Sequence, residues 1–307
     1  MRYAIISDIH GNLNALNAVL EDCEGQSIDK YLFLGDYYGE FPMHNEVISR
    51  IKEMADIYAI KGNKEERMIE YKKIDSKEWR SEQLVPLYWN LKTIKDNHYV
   101  YIENLPEKLF FTVGSINFYM AHSPGQYFGH GVVDRIGGRA FLTQYGKEYS
   151  SHTEYLAYVK NTLQQNQEFI KKLSGMPDGI YLFGHYHTQW YAEIDGKLLI
   201  NPGSCGLPLD FNISAPYTIF DTNNFTVIER RVPYDTKIPV QLLKESDYYK
   251  AAPFWNKLSI SEYENARVTV LLFLEFVEEL AAKKDDKTRP YADELWFEAI
   301  SLYENKI

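Results

Sequence analysis

The stretch "YAIISDIHGNLNALNAVLEDC", residues 3 to 23, holds the reading on which the fold turns. It opens on "YAIIS", a short apolar run of the kind that suits a strand buried on both faces. From Asn12 to Cys23 the apolar residues return at helical spacing instead. The alternation repeats downstream. "YLFLG" (31–35) reads as a strand, "NEVISRIKEM" (45–54) as a helix and "IYAIKG" (57–62) as a third strand. Strands separated by helices in this way indicate βαβ units and a largely parallel sheet.

Beyond residue 66 a polar, helix-prone stretch that includes "EQLVPLYWNLK" runs to about residue 98. "KLFFTV" and "SINFYMAH" then read as a hairpin turning at Gly114. Residues 125–178 form a long insert whose second half, "TEYLAYVKNTLQQNQEFIKKL", is helical in pattern. "GIYLFG" (179–184) resumes the core, a hairpin turns at Asp195-Gly196, and strands are expected near 216–221 and 225–232. From Pro233 the pattern is helical again, most clearly in "YENARVTVLLFLEFVEELAAKK", whose closing lysines suit a helix C-terminus.

With 307 residues, 45% apolar and 15% aromatic, the chain can bury one large core, or a domain carrying a smaller cap. No apolar run reaches the roughly 18 residues that a membrane span needs, and the opening "MRYAIISD" is cut short by Asp8, so neither a span nor a signal peptide is expected. Cys23 and Cys205 lack metal-type spacing and suit a reducing compartment. A cytoplasmic protein is therefore expected, without a membrane partner. The formal charge of −10 disfavours nucleic acid, and a homo-oligomer is the commonest arrangement for such a chain.

The chemistry-bearing residues fall at strand ends, where α/β sheets place ligands. Asp8 and His10 follow the first strand, Asp36 the second and Asn63 the third. His122 ends "FYMAH", and His185 and His187 follow "YLFG". Singly each has a plain explanation: an aspartate caps a helix, a histidine sits satisfied in a core. Their joint occurrence, in order, at the ends of five strands does not. His185 and His187, two apart in an extended segment, point the same way. The donors suit two divalent metal ions, and imidazole with carboxylate favours Mn, Fe, Zn or Ni. Two such ions, offset by Asp8, Asp36 and a hydroxide, leave a net positive charge that attracts phosphate.

The blocks "DIHGN", "GDYYG", "GNKE", "AHS" and "GHYH" resemble those of the calcineurin-like metallophosphoesterases. The likeness is closest to the bacterial and archaeal predicted phosphodiesterases, which share "NPGSCGLP" (201–208) and "PYD" (233–235). It spans residues 1–235 in the order of its motifs, is very specific at the metal blocks, and is weak across 66–105, 125–178 and the C-terminal helices. The resemblance implies an α/β/β/α sandwich of two mixed sheets flanked by helices, with helical inserts near 66–104 and 125–178 and an extension or cap over 236–307. It implies that Asp8, His10 and His187 hold one metal, that Asn63, His122 and His185 hold the other, and that Asp36 bridges them. Asp36, Asn63, Lys64 and His122 then carry catalysis, with Asn63 and Lys64 on the substrate. The reaction implied is hydrolysis of a small phosphate ester, in particular a phosphodiester, with nucleotides among the candidate substrates, by in-line attack of a metal-bridging hydroxide.

Many family members carry a histidine as general acid where this chain has Lys64. Three roles are open to Lys64: to hold a phosphate oxygen, to donate a proton, or to pair with an acidic neighbour such as Glu66. His44, His130 and Tyr37 are further candidates with a structural explanation at hand. Tyr127, Phe128, Tyr145, Phe254 and Trp255 either stack a nucleobase or pack. Two other functions compete: a monoesterase acting on nucleotides or proteins, and a non-catalytic scaffold, as in a retromer subunit of the same fold. A scaffold has no need for the complete set of donors.

Overall fold

Strands buried on both faces need partners on both faces, and the chain supplies them by stacking two sheets. The computed structural model describes residues 1–79, 81–129, 131, 133, 136–137, 140–141 and 151–304. In it β1 (Arg2–Ile6), β2 (Lys30–Phe33) and β3 (Ile57–Ala59) run parallel, linked by α1 (Leu13–Glu24) and α2 (His44–Lys52), with α3 (Asn63–Lys72) leaving β3. The second sheet is built from β4 (Lys108–Val113), β5 (Ile116–Ala121), β6 (Ile180–Leu182), β7 (Gln189–Ile194) and β8 (Lys197–Pro202), in the order β4-β5-β6-β8-β7. β9 (Ala215–Asp221) and β10 (Thr226–Val232) return to the first sheet, giving β10-β9-β1-β2-β3.

Both sheets are mixed, which corrects the largely parallel sheet expected from the opening alternation. β1–β2, β2–β3, β5–β6 and β6–β8 are parallel, whereas β1–β9, β9–β10, β4–β5 and β7–β8 are antiparallel. The alternation over the first 60 residues describes only the strands it contains. Antiparallel β9 joins β1 from more than 200 residues away, beyond the reach of any local pattern.

The period of two along each strand assigns the layers. Tyr3 and Ile5 of β1 meet Phe118, Met120, Ile180, Leu182 and Ile200 between the sheets, while Ala4 and Ile6 face Leu16, Val19 and Leu20 of α1. On β6, Ile180 and Leu182 point between the sheets, and Tyr181 and Phe183 pack against Tyr155, Val159 and Phe169 of helices His152–Gln165 and Gln167–Ser174. Helix, sheet, sheet and helix thus follow one another. Among the described residues no helix is long and apolar enough to cross a membrane.

α4 (Val85–Thr93) and α5 (Asp96–Glu103) occupy the helix-prone stretch after residue 66. The pattern "YENARVTVLLFLEFVEELAAKK" is not one helix. The helix Pro253–Asn265 ends at Ala266, which is left-handed at φ 47°, and a new helix spans Val270–Lys283. Glu262 causes the break, accepting hydrogen bonds from the backbone N–H of Thr269 (2.6 Å) and Val270 (2.8 Å). Its carboxylate satisfies donors that open the second helix, a role that apolar periodicity does not register. Tyr263 ties the first of these helices to the sandwich: its hydroxyl is 2.7 Å from that of Tyr234, which accepts from Asn12 Nδ2 at 3.1 Å.

His44 is buried at the start of α2, its Nε2 3.2 Å from Asn45 Nδ2 and 3.3 Å from Thr93 Oγ1, beneath the ring of Trp89. Burial, helped by the charge of His98, lowers its pKa from 6.5 to about 4. Between those values the unfolded chain holds the extra proton, so the contribution of neutral His44 is present above about pH 6.5 and is lost as the pH falls toward 4. Urea unfolding at pH 7.5 and pH 5.0 should therefore show a smaller loss of stability in His44→Gln than in the wild type. An equal or larger loss in the variant contradicts this account.

A candidate metal centre at the strand ends

The loops after β1 and β2 lie side by side through three backbone hydrogen bonds: Asp8 N to Gly35 O (3.0 Å), His10 N to Asp36 O (3.0 Å) and Gly11 N to Tyr37 O (2.9 Å). This pairing turns successive residues sharply. Asp8, His10 and Asp36 have φ of 53°, 53° and 55°, and His185 and His187 have 73° and 56°. Left-handed backbone costs a non-glycine residue roughly 1–2 kcal/mol, and five such residues in one place mark a built site. The "NPGSCGLP" block explains how the loops are held. Ser204 Oγ donates to Asp8 O at 2.6 Å, Gly206 N to Asp8 O at 3.1 Å, and Asn201 Nδ2 to Gly184 O at 2.7 Å. Two glycines allow the approach. A Cβ on Gly62 would lie 2.1 Å from Asp36 Oδ1, and one on Gly184 would lie 1.9 Å from Ser7 Oγ and 2.5 Å from Asp8 Oδ2.

All the donors singled out in the sequence come together. His10 Nε2 is 3.0 Å from His187 Nε2, and Asp8 Oδ1 is 3.3 Å from His187 Nε2 and 3.8 Å from His10 Nε2. On the other side His122 Nε2 is 3.4 Å from Asp36 Oδ2 and 3.9 Å from Asp8 Oδ1. Asn63 Oδ1 lies 2.8 Å from both His122 Nε2 and His185 Nδ1. Asp36 Oδ2 is also 3.9 Å from His10 Nε2, so both carboxylates face both halves. Two groups, Asp8–His10–His187 and Asp8–Asp36–His122, have ligand atoms close enough to share an ion.

The far side of three of the four rings is held by an acceptor. His122 Nδ1 donates to Leu34 O at 2.7 Å, His187 Nδ1 donates to Leu207 O at 2.8 Å, and His10 Nδ1 lies 2.6 Å from Glu40 Oε2. Each contact turns an Nε2 inward, as partners behind metal-binding histidines do. Asp8 Oδ1 is buried and accepts no hydrogen bond from the described residues, which suits an oxygen that binds a cation. The electrostatics agree. Burial would raise the Asp8 carboxyl, but His187 and His10 hold it well below the usual range. Burial would lower His122 and His10, yet Asp36 lifts the first to about 10 and Glu40 the second to about 9. His185 goes down to about 4 through burial and the charge of His122.

Two carboxylates escaped the sequence reading. Glu65, fully buried, accepts from the backbone N–H of Asp36 (2.9 Å), Tyr37 (2.9 Å) and Gly62 (2.8 Å) and so fixes the Asp36 loop on α3. Burial and the charge of Asp36 push its carboxyl up to about 7 against those three donors. A glutamate three residues into a helix is a capping signal and could have been read. Glu40 had no such signal, because it lies in an irregular loop between partners far along the chain.

Lys64 pairs with Glu40, Nζ to Oε1 at 2.8 Å, and not with Glu66. Burial would lower its pKa, but Glu40 and Asp36 raise it. Its backbone N–H donates to Asp36 Oδ1 at 2.9 Å. Tyr37 and His44 have structural partners: the Tyr37 hydroxyl donates to Ile60 O at 2.6 Å, and His44 sits in the α2 core. Phe128 packs on Phe169, Tyr127 on Tyr181 and Phe254 on Phe273. His130 and Tyr145 lie outside the described residues.

A family model described as the calcineurin-like phosphoesterase superfamily domain matches residues 1–224. The chain belongs to that superfamily and is a metal-dependent phosphoester hydrolase. An uncharacterized protein of Methanocaldococcus jannaschii, MJ0912, is 28% identical over 249 residues, which is 76% of this chain and 88% of that protein. The metallophosphoesterase from Sphaerobacter thermophilus superposes with a TM-score of 0.60 at 21% identity, over 87% of this chain and 99% of its own. The hypothetical protein PH1004 from Pyrococcus horikoshii OT3 gives 0.58 at 19% identity, over 82% and 96%. At these identities the two structures speak for the fold.

Because a Cβ on Gly62 would meet Asp36 Oδ1, Gly62→Ala should displace that carboxylate. Purified in Mn²⁺, the variant is expected to hold less than half the metal of the wild type by elemental analysis. Gly25→Ala, whose Cβ meets nothing nearer than 3.6 Å, should hold the full amount. Equal metal in both variants would show that Asp36 takes no part in metal binding.

Proposed function

We propose that the protein is a phosphodiesterase working with two divalent ions, drawn from Mn, Fe, Zn and Ni. The observation that carries this reading is the inward convergence of imidazole Nε2 atoms on two buried carboxylates. Asp8, His10 and His187 would hold one ion, Asn63, His122 and His185 the other, with Asp36 shared. Bound there, the ions supply an activated water and offset the charge of the phosphate. Glu40, Leu34 O and Leu207 O keep three rings in the tautomer that such binding needs.

The remaining residues do the positioning. Glu65 and the Lys64 backbone N–H fix Asp36 from two sides. The Lys64 ammonium, clamped on Glu40 with its pKa raised, serves as a fixed cation and not as a proton donor at neutral pH. Without an imidazole at that position a poor leaving group receives no proton, a loss of roughly 10²–10⁴ in rate. Diesters with good leaving groups depend on it least. The substrate is a small phosphate ester, and the C-terminal helices from Lys237 onward cap the site.

Two variants test the assignment on metal-loaded protein. Asp36→Asn should lower kcat for bis(p-nitrophenyl) phosphate by about 10²–10³-fold, the scale of losing one electrostatic anchor of a transition state. Near-wild-type turnover would refute the shared role of Asp36. Lys64→His should raise the ratio of p-nitrophenyl phosphate to bis(p-nitrophenyl) phosphate turnover by about tenfold or more. An unchanged ratio would remove Lys64 from any part in leaving-group choice.

A further inference from the structure

A cavity of about 270 Å³ opens from the candidate centre at Asn63, Lys64 and Glu40 and runs between α3, α4 and the C-terminal helices. Leu87, Trp255, Val270 and Leu274 give it apolar walls. Trp255, Val270 and Leu274 lie beyond residue 224, where the family match ends, so this surface belongs to the extension that the chain adds to its fold.

Two features of the lining point to a ligand. Tyr248 is 1% exposed and lines the cavity with its ring stacked on Trp89, yet its hydroxyl has no hydrogen-bond partner among the described residues. The hydroxyl of this otherwise buried residue opens on the cavity, so it can donate a hydrogen bond to an occupant that offers an acceptor. The cations are divided as well. Lys64 is neutralised by Glu40 at 2.8 Å, whereas Arg67, exposed at the rim one turn along α3, has no ion-pair or hydrogen-bond partner among the described residues. An anionic group would be drawn to Arg67 at the rim, and the paired Lys64 and Glu40 leave the interior without net charge, so the interior suits an uncharged group. The volume lies just below the usual range for drug-sized ligands and admits a single ring-bearing group.

We propose that this cavity binds the organic group of the ester, and that this group is an uncharged, ring-bearing alcohol of nucleoside size or smaller, accepting a hydrogen bond from Tyr248. The inference rests on the phosphodiesterase reading above. It makes Tyr248 and Leu274 specificity-determining residues supplied by the C-terminal helices.

Two diesters with the same leaving group separate ring binding from chemistry: thymidine 5′-(p-nitrophenyl phosphate) and ethyl p-nitrophenyl phosphate. With metal-loaded full-length protein, the thymidine ester should have a kcat/KM at least about tenfold higher, chiefly through KM. Leu274→Trp, which fills the cavity, should bring the ratio of the two kcat/KM values to within about twofold of one. Tyr248→Phe should lower that ratio about fivefold, the scale of one neutral hydrogen bond. Equal kcat/KM for both esters in the wild type overturns the inference while leaving the hydrolase reading intact. So does a ratio that survives both substitutions, or a fall of both esters in step, which marks a structural effect. If neither diester is turned over by metal-replete protein, the diesterase reading fails and this inference falls with it.

Discussion

Two carboxylates, Asp8 and Asp36, are buried where the ends of two sheets meet, and much of the local structure follows from keeping them ionised there. Removing such a group from water costs several kcal/mol unless cations or donors replace the solvent. The chain meets that cost with inward-facing imidazoles and with the N–H groups of Lys64 and His185 on the two carboxylates, and it bears the further cost of left-handed backbone at five residues of the site. One Asp8 oxygen is still left without a donor. The arrangement makes chemical sense as a place for divalent cations, which fits a metal-dependent phosphoester hydrolase.

The same constraint explains the second tier of residues. Glu65 draws three backbone N–H groups onto one side chain and fixes the turn that presents Asp36. Glu40 joins His10 to Lys64, so the lysine is part of the support behind a histidine of the candidate centre. The cavity beside it is walled in part by helices outside the family match, and the proposed choice of ester would give that extension its role.

The legible part of this protein was the part written locally. β1 and β2 read as strands because each is a short continuous apolar run, and α1 reads as a helix because Leu16, Val19, Leu20 and Cys23 share one side. Asp8, Asp36, Asn63 and His122 were legible because each lies within four residues of the end of a strand. What local sequence could not carry were pairings across distance. The antiparallel return of β9 beside β1, the contact of Glu40 with residues 30 and 24 positions away, and the capping of residues 269 and 270 by Glu262 all depend on the folded chain. The break at Ala266 was hidden for the same reason, since apolar spacing continues across it.

The central claim is that Asp36 lies between two ions. Anomalous diffraction from crystals grown with excess Mn²⁺ tests it most directly. The account predicts two peaks about 3.5–4 Å apart, one beside Asp8, His10 and His187, the other beside Asn63, His122 and His185, with Asp36 touching both. A single peak at saturating metal, or two peaks that Asp36 does not join, would contradict it.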